Sequence, residues 1–272
     1  MLAMFYILVA VGLTLVYSIL DIVNFAHGEF YMIGGYVAYV LFSQLQVNYF
    51  LTIAIAFLAV GLFGVVIERV IFKRFRRMVL QSFIVSLGLI WIFRESMRFI
   101  FGNWDKQVPV AFEGIISIWR VSFSVERLVV TIVGAALIVG LYFYINRTKQ
   151  GRAMRAIAQN PDAAALMGVD IDFISPLAFG IGCGLAAIAG VLVSSVFFVS
   201  ASMGAGVILK AFIIIILGGL GSIQGCLLGS LVLAFVDSYG GAFLPVPVVE
   251  FGTYMLIFTL LLFKPQGLLG HE

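Results

Sequence analysis

Residues 22–36 read IVNFAHGEFYMIGGY, and their polar side chains interrupt an otherwise apolar part of the chain. Asn24, His27 and Glu29 stand between two apolar runs, with Gly28 at a point where backbone can approach a neighbour closely. An amide, an imidazole and a carboxylate are unexpected in such surroundings. What these groups do depends on the solvent that the flanking segments meet.

The composition excludes a water-soluble globular protein. Of the 272 residues, 63% are hydrophobic and 11% are charged, whereas soluble domains are about 45–50% apolar and about 25% charged. Asp, Glu, Lys and Arg are absent from the long runs 178–199, 211–236 and 251–263. An outer-membrane barrel would instead show alternating segments of about ten residues. The sequence therefore predicts an all-α polytopic membrane protein.

Apolar segments of about 20 residues identify membrane helices, because that length crosses the hydrocarbon core. The chain is apolar from its first residue, which predicts a first membrane helix rather than a signal peptide. We predict about eight or nine transmembrane helices, of which 207–221 is short enough to be re-entrant or tilted. The predicted spans are 2–20, 29–43, 50–71, 79–101, 127–145, 173–199, 207–221, 225–240 and 249–264.

Basic residues give the predicted orientation, because cytoplasmic loops carry an excess of Lys and Arg. KRFRR at 73–77 and a second basic cluster at 147–155 are separated by two spans, the even number that two loops on one side require. The loop 102–126 is then external, and its alternating segment GIISIWRVSFS predicts a short strand or hairpin. The same count places the C-terminus, with Lys264, in the cytoplasm.

The longest predicted cytoplasmic segment, 151–171, reads GRAMRAIAQNPDAAALMGVDI and is rich in alanine, which favours helix. The residues NPD at 160–162 form a helix start, with a capping side chain, proline at the first helical position and an acid in the first turn. Gly168 is a natural helix end. We predict two short helices, about 151–159 and 161–167, that lie on the membrane surface without crossing it.

Small residues recur at helical spacing inside the apolar runs, which permits close packing of membrane helices. Cys183 and Cys226 lie in the same runs and are predicted to be packing residues rather than a disulfide framework or metal site. His27 and His271 are far apart, so the sequence has no zinc-ligand spacing. The small residues at helical spacing are Gly180, Gly182, Gly184, Ala186, Gly190, Gly225 and Gly229.

Charged residues within the spans have structural interpretations. Spacing of four places Arg94 and Arg98 on one helix face beside Glu95, as a structural pair near the outer end or as a surface for a binding protein. The other charged residues are predicted at the membrane interfaces, with Glu68 and Arg69 at the inner one and Lys210 and Asp237 at the outer one.

Four blocks of the sequence resemble the permeases of branched-chain amino-acid ABC transporters. Their order is that of the family, they cover nearly the whole chain, and the resemblance is greatest to the shorter high-affinity leucine, isoleucine and valine type. That type usually has further residues before the first block. The blocks are GLTLVYSILDIVNFAHGEFYMIGGYVAYVL (12–41), QGRAMRAIAQNPDAAALMGVDI (150–171), LKAFIIIILGGLGSIQGCLLGSLVLAFVD (209–237) and KPQGLLG (264–270).

The resemblance implies one transmembrane permease domain over residues 1–272, with the ABC importer permease fold of the ribose and vitamin B12 importers. It implies a bacterial inner-membrane location and coupling helices within 151–168 that contact an ATPase. It also implies two ATP-binding cassette subunits, a second permease that is usually a different chain, and a periplasmic substrate-binding protein. The sequence has no Gly-x-x-x-x-Gly-Lys-Ser/Thr phosphate loop. We therefore expect ATP on partner subunits and no cofactor on this chain.

Two interruptions of the apolar pattern, 21–29 and LGGLGSIQG at 217–225, are candidates for the substrate route. Interrupted helices occur at membrane depth where they line a cavity or are buried in protein. The first is either part of the pathway or its gate, or a tight helix–helix elbow towards the cytoplasmic side. The alternative for the second is a tight turn between packed helices. The pathway or gate candidates are Asn24, His27, Gly28, Glu29, Gly218, Gly219 and Gly221.

The sequence predicts the permease subunit of an ABC importer that carries branched-chain or similar amino acids, driven by ATP hydrolysis on separate subunits. Two alternatives stay open: a permease of this family for urea or short amides, and a stand-alone secondary transporter or channel. The sequence has no cluster of catalytic groups, so neither an enzyme nor a nucleic-acid partner is predicted. The candidate residues for ATPase coupling are Gly151, Arg152, Arg155, Ala156, Asn160, Pro161, Ala164 and Gly168.

Overall fold

Long apolar helices form most of the protein, whose computed structural model describes residues 1–118 and 121–263. In chain order the helices are α1 (Leu2–Leu20), α2 (His27–Ala38), α3 (Tyr49–Val70), α4 (Val79–Phe101), α5 (Val125–Arg147), α6 (Lys149–Gln159), α7 (Pro161–Leu166), α8 (Ile171–Ser194), α9 (Met203–Gly218), α10 (Ile223–Phe243) and α11 (Val246–Phe263). A π-helical turn, Tyr39–Gln44, continues α2.

Helix length and composition agree with a membrane location. Within the described residues, five helices are long and apolar enough to cross a membrane, namely α1, α3, α5, α8 and α10. The prediction of an all-α polytopic membrane protein is therefore confirmed. α8 ends before its predicted limit, because the chain turns after Ser194 and the backbone of Val199 pairs with that of Lys106.

The loop after α4 contains the predicted hairpin. Strands β1 (Ile115–Ile118) and β2 (Val121–Ser124) pair in antiparallel register, with Ile115 opposite Ser124. The predicted cytoplasmic position of Lys264, like the block KPQGLLG that contains it, falls outside the described residues.

α8 is the central helix and packs against α1, α2 and α3. Its glycines allow backbone to meet backbone: a Cβ added to Gly182 would lie 2.7 Å from the carbonyl oxygen of Gly12, and one added to Gly180 would lie 2.8 Å from that of Gly61. In lipid, such close contact replaces the hydrophobic effect as the force that holds helices together. The predicted packing role of the small residues is confirmed here.

Both basic segments lie at one end of the helices. Arg77, in the loop between α3 and α4, forms an ion pair of 2.8 Å with Asp162 of α7. We call this end, where residues 72–78 meet α6 and α7, the basic end. The prediction that the two basic segments share one side is confirmed, and positive charge makes that side the predicted cytoplasmic one.

Candidate functional site

Residues 21–29, which we call the polar segment, leave the basic end and rise between the helices. Asp21 ends α1 in a left-handed conformation with φ 50°. The Arg77 N–H donates a hydrogen bond of 3.3 Å to the carbonyl oxygen of Leu20. The loop that contains Arg77 therefore holds the point where the polar segment begins.

Two serines of α4 pair with the backbone of the polar segment. The Val23 N–H donates to Ser82 Oγ at 3.4 Å, and the Phe25 N–H donates to Ser86 Oγ at 3.1 Å. Non-helical backbone inside a membrane protein needs such partners, because lipid offers none. Val23 and Phe25 are two positions apart, and the serines that they bind lie about one helical turn, or 5.4 Å, apart along α4. The backbone between Val23 and Phe25 is therefore nearly extended.

The polar side chains lie deeper than their predicted position near the cytoplasmic end. A Cβ added to Gly12 would lie 3.2 Å from His27 Nε2, and Gly12 stands about 12 Å before the end of α1. Gly28 packs directly on the backbone of Gly204, near the start of α9. His27 therefore lies beside the middle of α1 rather than near its end, because the non-helical residues 21–24 rise between the helices before the turn at Phe25 and Ala26 begins α2.

Burial removes Asn24, His27 and Glu29 from solvent contact within this chain. Their exposed fractions are 0%, 0% and 1%. Both side-chain polar atoms of Asn24 and both ring nitrogens of His27 have no hydrogen-bond partner among the described residues. Within this chain, the three side chains are therefore enclosed by the helices rather than exposed on its surface.

Arg94 of α4 is the charged partner of the polar segment. Its Nη2 donates to Glu29 Oε1 at 3.1 Å, while Arg98 pairs with Glu95 at 2.7 Å on the exposed side of α4. The predicted grouping of Arg94 with Arg98 is therefore wrong, because Arg94 turns inward to neutralise a buried carboxylate. The serine pair at four-residue spacing was a signal that this face of α4 meets polar backbone, and the sequence analysis missed it.

The second interruption is a tight turn between α9 and α10. Gly219 and Gly221 adopt positive φ values of 101° and 85°, and Gly218 packs against the backbone of Gly225. Ser18, near the end of α1, donates to the carbonyl oxygen of Gly221 at 3.3 Å. The turn therefore lies at the basic end, and the structure does not bring it together with Asn24, His27 and Glu29.

α6 and α7 form an exposed elbow at the basic end. Asn160 caps α7 by accepting a hydrogen bond of 2.9 Å from the Ala163 N–H, and Pro161 occupies the first helical position, as predicted. Gly168, with φ 82°, follows α7. The two predicted short helices are confirmed, with bounds that differ by no more than two residues.

The candidate coupling residues divide between the two faces of this elbow. Gly151 and Ala164 are buried and hold the elbow against the other helices, and Ala156 is half-buried. Arg152 and Arg155 are exposed. Two large apolar residues that sequence analysis did not single out are strongly exposed on the elbow: Leu166 at 90% and Met167 at 85%.

The basic loop attaches the elbow to the other helices. Besides the Arg77–Asp162 pair, Lys73 and Arg76 both bind Asp172 at the start of α8, at 2.9 and 2.7 Å. The hydrogen bond to Asp162 raises the pKa of the Arg77 guanidinium, so Arg77 stays charged at any physiological pH. The loop therefore contacts α7, α8 and the end of α1 at once.

A second ion pair, which is partly buried, lies away from the basic end. Lys210 of α9 and Asp237 of α10 meet at 2.7 Å, and the Tyr6 hydroxyl donates to Asp237 at 2.6 Å while accepting from Lys210 at 3.0 Å. The predicted position of both charges at the outer surface is thus refined: they pair between helices. Glu68, predicted at the inner interface, is likewise buried and accepts from Arg76 at 2.7 Å.

Comparison with known proteins gives a consistent family. The model of the branched-chain amino acid transport system permease component matches residues 1–264. The high-affinity branched-chain amino acid transport system permease protein LivH of Escherichia coli K12 is 31% identical over 98% of this chain and 91% of its own length. The corresponding permease protein BraD of Pseudomonas aeruginosa is 31% identical, with 98% and 92% covered.

A more distant relative extends the comparison to an archaeon. The probable branched-chain amino acid transport permease protein LivH of Methanocaldococcus jannaschii is 28% identical over 98% of this chain and 89% of its own length. No solved structure matches the chain. The family is one of transport components rather than enzymes. The match over nearly the full length shows that the chain belongs to the family of branched-chain amino acid transport permease components.

Proposed function

We propose that this chain is the transmembrane permease subunit of an ABC importer that passes branched-chain or similar amino acids across the bacterial inner membrane. Family membership supports the transport role, and the names of the relatives suggest the substrate class. The proposal that transport is driven by ATP rests on the elbow of α6 and α7. This elbow is exposed, and residues 72–78 of the basic loop hold it to the other helices.

The exposed surface of the elbow is the proposed contact for two ATP-binding cassette subunits. Leu166 and Met167 offer an apolar contact, and Arg152 and Arg155 surround it with positive charge. Large exposed apolar residues on an otherwise polar surface are typical of protein–protein contacts. A second permease chain and a periplasmic substrate-binding protein complete the proposed importer.

The polar segment is the proposed gate of the substrate route. Ionisable groups at membrane depth cost about 2.5–3.5 kcal/mol on insertion scales and tend to face a cavity or a partner. Asn24 stands on non-helical backbone, which membrane proteins use next to substrate routes, and His27 and Glu29 lie in the first turn of α2. We assign Gly218, Gly219 and Gly221 to the turn that supports this gate at the basic end.

Reconstitution of the complete importer tests the coupling role of the elbow. In the double variant Arg152→Glu/Arg155→Glu we expect ATP-dependent uptake to be lost while the chain still inserts and folds. Arg127→Glu, a charge reversal of an exposed residue at the opposite end, is the matched control and is expected to leave uptake unchanged. Uptake by this chain alone, driven by an ion gradient, would show a secondary transporter and contradict the proposal.

The substrate class is tested on the binding protein that functions with this permease. Calorimetry with leucine, isoleucine and valine, and separately with urea and short amides, distinguishes the proposed substrates from the other ligands that we considered. We expect binding of the branched-chain amino acids. Binding of urea or amides alone would assign the importer to those compounds instead.

A further inference from the structure

Unpaired polar atoms in the described residues are concentrated on the polar segment and on its charged partner Arg94. Of the eleven buried side-chain nitrogen and oxygen atoms without a hydrogen-bond partner there, six belong to Asn24, His27, Glu29 and Arg94. Native proteins pair the great majority of such atoms, and lipid offers no water to pair the rest. A cluster of this kind therefore needs a ligand that the chain itself does not supply.

The chemistry of the unpaired atoms is balanced between donors and acceptors. Arg94 Nε and Asn24 Nδ2 are donors, and Glu29 Oε2 and Asn24 Oδ1 are acceptors. Arg94 and Glu29 also carry opposite formal charges. The complementary ligand carries a cationic donor and an anionic acceptor close together, as the ammonium and carboxylate of an α-amino acid do.

The pair of charges lies just beneath the surface of the chain, not in a sealed core. Arg94 keeps 15% of its side chain exposed, against 2% for Glu29. The Trp91 ring, itself 61% exposed, lies 5.8 Å from the Arg94 guanidinium and covers it from outside. A movement of α4 and Trp91 would open the pair to a ligand from that side.

Apolar groups beside the charges suit a branched side chain. Phe30 follows Glu29, and Phe93 precedes Arg94, with their rings 5.6 Å apart. A ligand with a charged head at Glu29 and Arg94 would therefore meet aromatic walls with its tail. Urea and short amides have neither the charged ends nor the tail.

We propose that Glu29 and Arg94 bind the ammonium and carboxylate of the transported amino acid. In the structure the two side chains satisfy each other through one hydrogen bond of 3.1 Å. On binding, Glu29 accepts from the ammonium and Arg94 donates to the carboxylate. This inference rests on the proposed import of branched-chain amino acids and names the site within this chain.

Photo-leucine, which keeps the amino-acid head and carries a diazirine on the side chain, tests the site directly. It is added to the purified permease–ATPase complex without binding protein, so that recognition by the permease alone is observed. We expect labelled peptides from residues 22–36 and from the second half of α4. Leucine should suppress this labelling at a concentration about 10-fold or more below that needed for 4-methylpentanoate or 3-methylbutylamine, which each lack one charged end.

Variants assign the two ends of the ligand. In Glu29→Gln the preference for leucine over 4-methylpentanoate should fall about 10-fold, and in Arg94→Gln the preference over 3-methylbutylamine should fall likewise. Glu95→Gln and Arg98→Gln, charge removals on the exposed side of α4, are the matched controls and should leave both preferences unchanged. If Glu29→Gln or Arg94→Gln fails to fold, the labelled positions in the wild-type complex and the competition by leucine and its two analogues still test the binding site.

Labelling elsewhere in the chain, no labelling, or labelling that leucine does not suppress would overturn this inference. ATP-dependent leucine uptake by the complete importer is measured in parallel. If the importer takes up leucine but photo-leucine does not label residues 22–36 and α4, the proposed binding site is wrong and the proposed function is unaffected. Loss of uptake in the wild-type importer would count against the proposed function itself.

Discussion

Two buried charge clusters in the described residues differ in how fully their polar atoms are paired. In the Tyr6, Lys210 and Asp237 cluster, the hydroxyl both donates and accepts, and both charges are used. In the Glu29 and Arg94 cluster a single hydrogen bond joins the charges, and Glu29 Oε2 and Arg94 Nε stay unpaired. Both clusters place charges between helices that are otherwise apolar.

The difference separates a structural role from a functional one. A buried ion pair with complete hydrogen bonding resists change, because breaking it leaves a charge without compensation. An incompletely paired cluster has fewer internal hydrogen bonds to break, so it can exchange its internal bond for bonds to a ligand at a lower cost in free energy. We therefore interpret the Lys210–Asp237 pair as a link between α1, α9 and α10, and the Glu29–Arg94 pair as a binding site.

The largest expected effect follows from breaking the complete cluster. Asp237→Leu leaves Lys210 without its carboxylate and should lower the free energy of unfolding by about 3–5 kcal/mol. The double variant Lys210→Met/Asp237→Leu should recover most of this loss, because an apolar pair replaces an ionic one. Thermal unfolding of the purified permease in detergent measures both. Equal losses in the single and double variants would contradict a structural pair.

Removing charge from the Glu29 and Arg94 cluster should affect uptake more than stability. Glu29→Gln keeps an oxygen that can accept from Arg94, so it is expected to lower the free energy of unfolding by less than Asp237→Leu does. It should reduce uptake about 10-fold or more, because hydrogen bonds to charged groups contribute about 1.5–3 kcal/mol. Uptake and unfolding are measured on the same preparation, with Glu95→Gln as control. A large loss of stability without a specific loss of uptake would make this cluster structural too.

The serines of α4 are expected to contribute less to stability than the Lys210–Asp237 pair does. Ser86→Ala leaves the Phe25 N–H without its partner inside the membrane and should cost about 1–3 kcal/mol. Hydrogen exchange at the Phe25 amide should become faster, which reports the polar segment directly. Ser96→Ala is the control, because the Ser96 hydroxyl bonds only within α4, to the carbonyl oxygen of Ile92. Unchanged exchange in Ser86→Ala would show that this hydrogen bond does not hold the segment.

Apolar periodicity and helix-end patterns were sufficient to predict most of the helices. The bounds of α4 were predicted from 79 to 101 and are the same in the structure, because KRFRR before it and Gly102 after it mark both ends. The capping pattern at Asn160 predicted α7 for a similar reason. These signals are local, so sequence alone contains them.

The depth of the polar segment and the partner of Arg94 were beyond the sequence. A count of basic loops places a segment on one side, but it does not tell whether the chain lies along the surface or climbs back between helices. Spacing on α4 suggested Arg98 as the neighbour of Arg94, because residue spacing reports only on contacts within one helix. The true partner, Glu29, is 65 residues away in the chain and is selected by tertiary packing.

The smallest expected effect on stability concerns the basic loop, where the charges are exposed and water screens them. Arg77→Ala should leave the free energy of unfolding nearly unchanged and yet reduce the uptake per ATP hydrolysed, because Arg77 contacts both α7 and the start of the polar segment. Arg74→Ala, an exposed arginine of the same loop, is the matched control. Arg77 has a positive φ of 63°, so Arg77→Gly should be the more stable of the two Arg77 variants while losing the same coupling. Equal coupling in Arg77→Ala and Arg74→Ala would mean that the elbow reaches the polar segment by another route.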